Sequence, residues 1–227
     1  MRYRILRCAA LTFAITLGPL LSLAPAFALA AVPQALSAAT HEFAAQVLAT
    51  GDHLQQPFAI VDKRTAVLTL FSASGRLLGS SSVLLGSVLG DHSVPGVGDR
   101  AQTGRLWPGD ATTPAGRFAS EPGHNKTGEA VVWLDYDLAL AIHRLRPGTA
   151  QADRGRRLAA QAPDSKRVSA GCIVVPVAFY ESVVQPLLGL QAGVVYVLPE
   201  HAETTILPKL VLLHSAPTLP SGANATR

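Results

Sequence analysis

The sequence predicts a mainly β fold, an antiparallel sandwich with a few short helices at its periphery. Three observations predict it. Nineteen Gly and sixteen Pro are spread through 227 residues, so turns are frequent. The apolar runs are short and bounded by Gly, Pro, Asp, Asn and Ser, which reads as strands joined by tight connections. The chain is 48% hydrophobic and only 15% charged, enough apolar surface for a real core.

Taken in order, residues 1–30 read as a secretory signal. Arg2, Arg4 and Arg7 precede an uncharged stretch, and Ala28-Leu29-Ala30 fits a small-x-small cleavage site. A retained membrane anchor is the alternative. The chain holds 19 basic and 15 acidic residues. Removing the three signal arginines leaves sixteen against fifteen, so no basic surface argues for nucleic acid. Residues 31–55 read as a helical segment, with helical spacing over 33–50 and Gly51 ending it. It is expected to pack outside the main core.

The domain proper is expected over 56–200. Strands are expected at 58–62, 66–71, 77–85, 130–135, 138–145 and 194–198. Residues 66–71 alternate weakly, which implies burial on both faces. Residues 86–128 show little periodicity, and a loop that long is functional or hides short strands. Within it, Thr113-Pro114 is a tight turn entering a short strand. Short helices are expected over 153–161 and 177–185, the second ended by Pro186. Residues 201–227 read as a C-terminal extension, partly disordered.

The stretch Ser169-Ala170-Gly171-Cys172-Ile173-Val174-Val175 reads as a loop entering a buried strand. Cys8 leaves with the signal, so Cys172 is the sole cysteine of the mature chain. An unpaired thiol in an oxidising compartment is buried and inert or is useful. On residues alone the two readings are balanced. A thiol nucleophile needs a base and oxyanion donors. The N–H groups around Gly171 can converge because Gly allows close approach. Among the histidines, His143 stands out because it lies on an expected central strand. Core packing is its competing role. No Cys/His cluster has metal-ligand spacing, and no phosphate loop follows the glycines of 86–98, so neither metal nor cofactor is expected.

Thr113-Pro114-x-Gly116-x-Phe118, then a strand histidine, then Ser169-x-Gly171-Cys172-Ile173, resembles the catalytic domain of the L,D-transpeptidase (YkuD-type) family. The likeness runs from about Gln56 to Pro199. It departs from the family pattern in Ser-Ala-Gly-Cys for Ser-His-Gly-Cys, in Val174 for Asn or Arg, and in Arg144 for Gly. The resemblance implies the family's β-sandwich and an exported enzyme of the periplasm or cell envelope. It implies a thioester-forming Cys172, with His143 as general base. Gly171 and Cys172 N–H groups would form the oxyanion hole, with Ser169 and Ala170 shaping that loop. Arg144 and Arg167 are candidates to meet substrate carboxylates, against a solvated-charge alternative. The implied partner is the peptidoglycan stem peptide, with transfer to an amine. No nucleic acid is implied, nor stable membrane contact if the signal is cleaved. Hydrolysis on the same scaffold, or peptidoglycan binding without catalysis, are the alternatives.

Overall fold

The structure is a computed structural model in which residues 36–200 are described. The expected signal and the expected C-terminal extension lie outside the described residues. Helix α1 (Ala38–Thr50) opens the described chain. Ser37 caps it by accepting from the Thr40 N–H at 3.1 Å, and its hydroxyl donates to Asp62 at 2.7 Å. One cap thus fixes both the helix start and its position on the sheet. Gly51, at φ 68°, ends it.

The strands are β1 (Phe58–Asp62), β2 (Val67–Phe71), β3 (Leu77–Ser82), β4 (Leu85–Gly86), β5 (Gly116–His124), β6 (Ala130–Asp135), β7 (Leu140–Arg144), β8 (Arg167–Ser169), β9 (Ile173–Val175) and β10 (Gly193–Val197). Eight form one sheet in the order β3-β2-β1-β10-β5-β6-β7-β9, and β4 pairs with β8. The chain leaving β3 ties the two edges of this sheet together. Val83 N–H donates to Ala66 O beside β2. Leu84 and Val174 exchange both backbone hydrogen bonds at 2.8 and 3.0 Å. The sheet is therefore nearly closed into a barrel. Its interior holds Leu68, Leu70, Phe118, Val132, Ile142, Ile173, Val195 and their neighbours. Helix α1 packs on the outside, where Phe43 and Val47 join Phe58, Ile60 and Tyr196.

The mainly β class with short peripheral helices holds, but the pairing is mixed where an antiparallel arrangement was expected. β1 runs parallel to β10, β7 to β9, and β4 to β8. Short apolar runs reveal burial, not the direction of the partner. The sign was there in β1, β2, β7 and β10, where at least four of five residues are buried, as strands covered on both faces require.

Several element boundaries also differ from expectation: the strand expected over 77–85 ends at Ser82, with Leu85–Gly86 pairing separately as β4, and that expected over 138–145 is Leu140–Arg144. The 86–128 loop contains helix α2 (Val97–Thr103) as well as β5. The helix expected over 153–161 is α3 (Gln151–Ala159). Pro186 does not end the helix after the cysteine strand. That helix runs from α4 (Val177–Phe179) through a π turn at Tyr180–Val184 into α5 (Gln185–Leu188). Pro186 sits in the first turn of α5, where its missing N–H costs little because the widened turn has already shifted the hydrogen-bond ladder. No helix among the described residues is long and apolar enough to cross a membrane.

Candidate active site

The site is built from the outer face of β6, β7 and β9. In β7 and β9 the residues Ile142, Ile173 and Val175 point into the core. Strand alternation therefore turns Ala141, His143, Cys172 and Val174 outward. β7 pairs with β9 through Ile142↔Ile173 and His143↔Val174. Extending that register by one residue sets Cys172 against Ala141. His143 is then one strand over and one rung along from Cys172, about 7–8 Å between backbones for such a diagonal pair. The topology thus brings the two predicted residues to one face.

Side-chain hydrogen bonds from Thr113 and Ser169 hold the cysteine loop. Thr113, fully buried, accepts the Gly86 N–H at 2.8 Å and donates its hydroxyl to Gly171 O at 2.7 Å. A single side chain so joins the Thr-Pro turn, β4 and the residue before Cys172. Ser169 donates to Cys172 O at 2.6 Å and accepts the Gly171 N–H at 3.1 Å. Gly171 has φ +122°, and a Cβ there would stand 3.0 Å from Thr112 O. Glycine is required by both the backbone angle and the space. Ala170 is exposed at the tip.

His143 is 8% exposed. Its Nδ1 lies 2.8 Å from Arg144 O. A carbonyl can only accept, so Nδ1 carries the proton and Nε2 keeps its lone pair. Burial, assisted by the Arg146 charge, pulls the imidazole pKa down to about 4. The ring is neutral at neutral pH and competent to accept a proton.

The Cys172 thiol donates to Ala139 O at 3.3 Å. Burial pushes its pKa up, opposed by the Ala141 backbone and the Arg146 charge. The resting pair is neutral thiol and neutral imidazole, not a preformed ion pair. Among the described residues no hydrogen bond yet joins them: the thiol bonds the β6–β7 turn and the imidazole its neighbour's carbonyl.

The other candidates are placed as follows. Arg144 is half-exposed and meets Glu181 at 3.1 Å and Glu129 at 3.6 Å. Arg146, which the sequence did not single out, meets Glu129 at 2.9 Å and acts on both His143 and Cys172. Arg167 serves a different cluster. It is nearly buried, bonds Glu200 at 2.8 Å and Lys63 O at 2.9 Å, and borders a cleft of about 410 Å³ with Lys63 and Asp91. Its contacts tie β8 to the ends of β1 and β10, away from the thiol. Val174 packs with Leu84, Leu145 and Leu158 under α3. Sequence reasoning missed the Ala139 carbonyl and Trp133. Register alone reveals Trp133, through its pairing with Ala141. Among the described residues no group of three or more His, Cys, Asp or Glu is placed to hold a metal ion.

No family model matches the sequence, and no curated protein matches it. Solved structures give loose likenesses. The helical cell shape determining protein Pgp2 of Campylobacter jejuni matches at 17% identity and a TM-score of 0.40, over 66% of this chain and 49% of that one. The catalytic domain of an L,D-transpeptidase from E. faecium matches at 17% and 0.32, over 64% and 98%. An L,D-transpeptidase from Xylanimonas cellulosilytica matches at 18% and 0.37, over 63% and 60%. The chain spans about half the length of the first of these.

Proposed function

We propose that this chain is an exported, L,D-transpeptidase-like cysteine acyltransferase acting on peptidoglycan stem peptides in cell-wall cross-linking. One observation carries the reading: Cys172 and His143 share an outer sheet face, with His143 Nδ1 on Arg144 O and no hydrogen bond to Nε2 among the described residues. The division of the chain into a signal, a helical segment, a catalytic domain and a C-terminal extension belongs to the same proposal, as does its location in the envelope.

In the proposed reaction the thiol leaves Ala139 O and turns toward His143. Nε2 takes the thiol proton as Sγ attacks the stem-peptide carbonyl carbon. The C–N bond breaks, the imidazolium returns the proton to the leaving amine, and a thioester remains. An acceptor amine then attacks the thioester carbonyl and gives its proton to Nε2. The C–S bond breaks and the thiol is restored. Cys172 and Gly171 N–H groups are the proposed oxyanion donors. The Gly171 donor must first yield its long bond to Ser169.

A second reading, peptidoglycan binding without catalysis, draws support from the same contacts. The thiol is held as a donor, the Gly171 N–H is engaged, and Ala170 offers no polar group. Incubation of the mature chain with disaccharide-tetrapeptide, read by mass spectrometry, separates the readings. Transpeptidation gives a cross-linked dimer and hydrolysis gives a tripeptide. Both products should vanish in Cys172→Ala and fall steeply in His143→Ala. Equal product from wild type and Cys172→Ala sinks the enzyme reading.

A further inference from the structure

Both tryptophans of this chain stand in one region of the surface, in a protein with 6% aromatic residues. Trp133 pairs with Ala141 across β6 and β7, so it faces outward in the row that ends at Cys172. At one strand spacing of about 4.8 Å, two steps separate Trp133 from Cys172. Trp133 lies against Gly123 of β5, where a Cβ would stand 2.5 Å from the indole. Tyr136 stacks on Trp133, with ring centroids 4.7 Å apart and planes 29° apart, and is 55% exposed. Trp133 is therefore the support and Tyr136 the exposed plate. Tyr136 also belongs to the turn whose last residue, Ala139, accepts the thiol.

A second exposed aromatic is braced from helix α2. Trp107 is 61% exposed, with the Arg100 guanidinium 4.2 Å from its ring centroid. Asp110, buried, grips Arg100 through two bonds of 2.6 and 2.7 Å and accepts the Trp107 N–H at 2.8 Å. The indole is braced on one side and open on the other. Arg100 lies on α2, and α2 lies on the Tyr136–Asp137 turn. A Cβ on Gly98 would meet Asp137 O at 2.0 Å. Helix α2 thus meets both: its Arg100 braces Trp107, and its Gly98 packs on the turn that holds Tyr136.

Exposed aromatics that the fold takes trouble to immobilise mark a binding surface. A pyranose ring presents a flat apolar C–H face rimmed by hydroxyls. It matches a flat ring with a phenol at its edge. Two plates that both meet α2 suit a chain of such rings better than one small ligand. We propose that Tyr136, supported by Trp133, and Trp107, braced by Arg100, form a platform for the glycan strand of peptidoglycan. They would hold the polymer so that its peptide reaches Cys172. The inference rests on the peptidoglycan reading, but it concerns binding and not turnover.

The test is equilibrium binding of the mature chain to glycan strands stripped of their peptides, with free stem peptide as a parallel probe. Stripped glycan offers no scissile peptide, so a chain without transpeptidase activity is tested equally well. Wild type should bind stripped glycan, and Tyr136→Ala and Trp107→Ala should each weaken it about threefold to tenfold. Tyr136→Phe should retain most of the binding. Thermal unfolding of each variant checks that the fold is kept. Absent binding of stripped glycan by wild type overturns the proposal. So does undiminished binding by both folded alanine variants, or a loss confined to free stem peptide, which would make the plates a peptide site.

Discussion

Strand β8 separates two clusters of opposite character. At its start, Arg167 joins Lys63, Asp91 and Glu200 in a nearly buried set of charges. Lys63 is fully buried and meets Asp91 at 2.6 Å, and Arg167 meets Glu200 at 2.8 Å. Just past its end, Cys172 and His143 are both held neutral, and the imidazole Nε2 has no partner among the described residues. The first cluster spends its charges on one another and fixes the loop 87–115 and the chain after β10 against β1 and β8. The second holds the thiol on Ala139 O and the imidazole on Arg144 O. The contrast is one of protonation: the first cluster sets full charges against one another, and the second holds two neutral groups on one sheet face.

Removing one member of each cluster should separate stability from activity. Lys63→Met leaves Asp91 and Glu200 without their shared cation. Loss of one partner of a buried pair costs about 3–5 kcal/mol, and the partial exposure of Asp91 points to the lower end. Urea unfolding should show this loss, while iodoacetamide alkylation of Cys172 in the folded protein proceeds at the wild-type rate. A variant as stable as wild type would show that the charges do not hold the fold.

The next largest effect is one of pH, and its sign follows from His143. Its folded pKa, about 4, lies below the ordinary 6.5. As pH falls through 6.5 the unfolded chain takes up the proton first, and the native state resists until about 4. Stability is therefore lost between those values and flat below them, by about 3 kcal/mol at most. His143→Gln should remove this part of the acid dependence of unfolding. An unchanged acid limb in that variant would assign the dependence to other groups. The acid limb of any transfer activity should likewise lie well below pH 6.5.

A smaller loss is expected from Thr113→Val, which keeps shape but removes the bridge between Gly86 N–H and Gly171 O. Leaving a buried polar group unmatched costs about 1–3 kcal/mol. Because Gly171 adjoins the proposed nucleophile, activity should fall more than stability does. A variant that loses stability but keeps full activity would show that the bridge does not position the thiol.

Much of this was legible in the sequence, for identifiable reasons. Strands β1, β2 and β6 lie within a residue of expectation, because each is a β-branched run between turn formers. That Cys172 and His143 fall on paired strands was legible because His143 lies on an expected central strand and Cys172 opens the next apolar run. The partnership of His143 with a carbonyl at Arg144 was also open to expectation, since a strand histidine needs an acceptor to fix its tautomer. Sheet direction was not legible, since β1 finds β10 across nearly the whole domain. Nor was the placement of Arg167, five residues before the cysteine yet committed to Glu200. Sequence proximity cannot say that a strand carries its two ends to different clusters.

Arg144 tests the comparison most finely, because it lies between its two cases. It carries a charge beside the proposed catalytic pair, yet it is half-exposed and shared between Glu181 and Glu129. Surface pairs of this kind contribute at most about 1 kcal/mol. Arg144→Gln should therefore leave unfolding nearly unchanged. The backbone carbonyl that fixes His143 survives the substitution, so the imidazole should keep its tautomer and its depressed titration by NMR. If Arg144 meets a stem-peptide carboxylate, KM should rise with kcat little altered. If it is only a solvated charge, both constants should stay at their wild-type values. A fall in kcat with KM unchanged would contradict both roles and place the arginine in the chemistry itself.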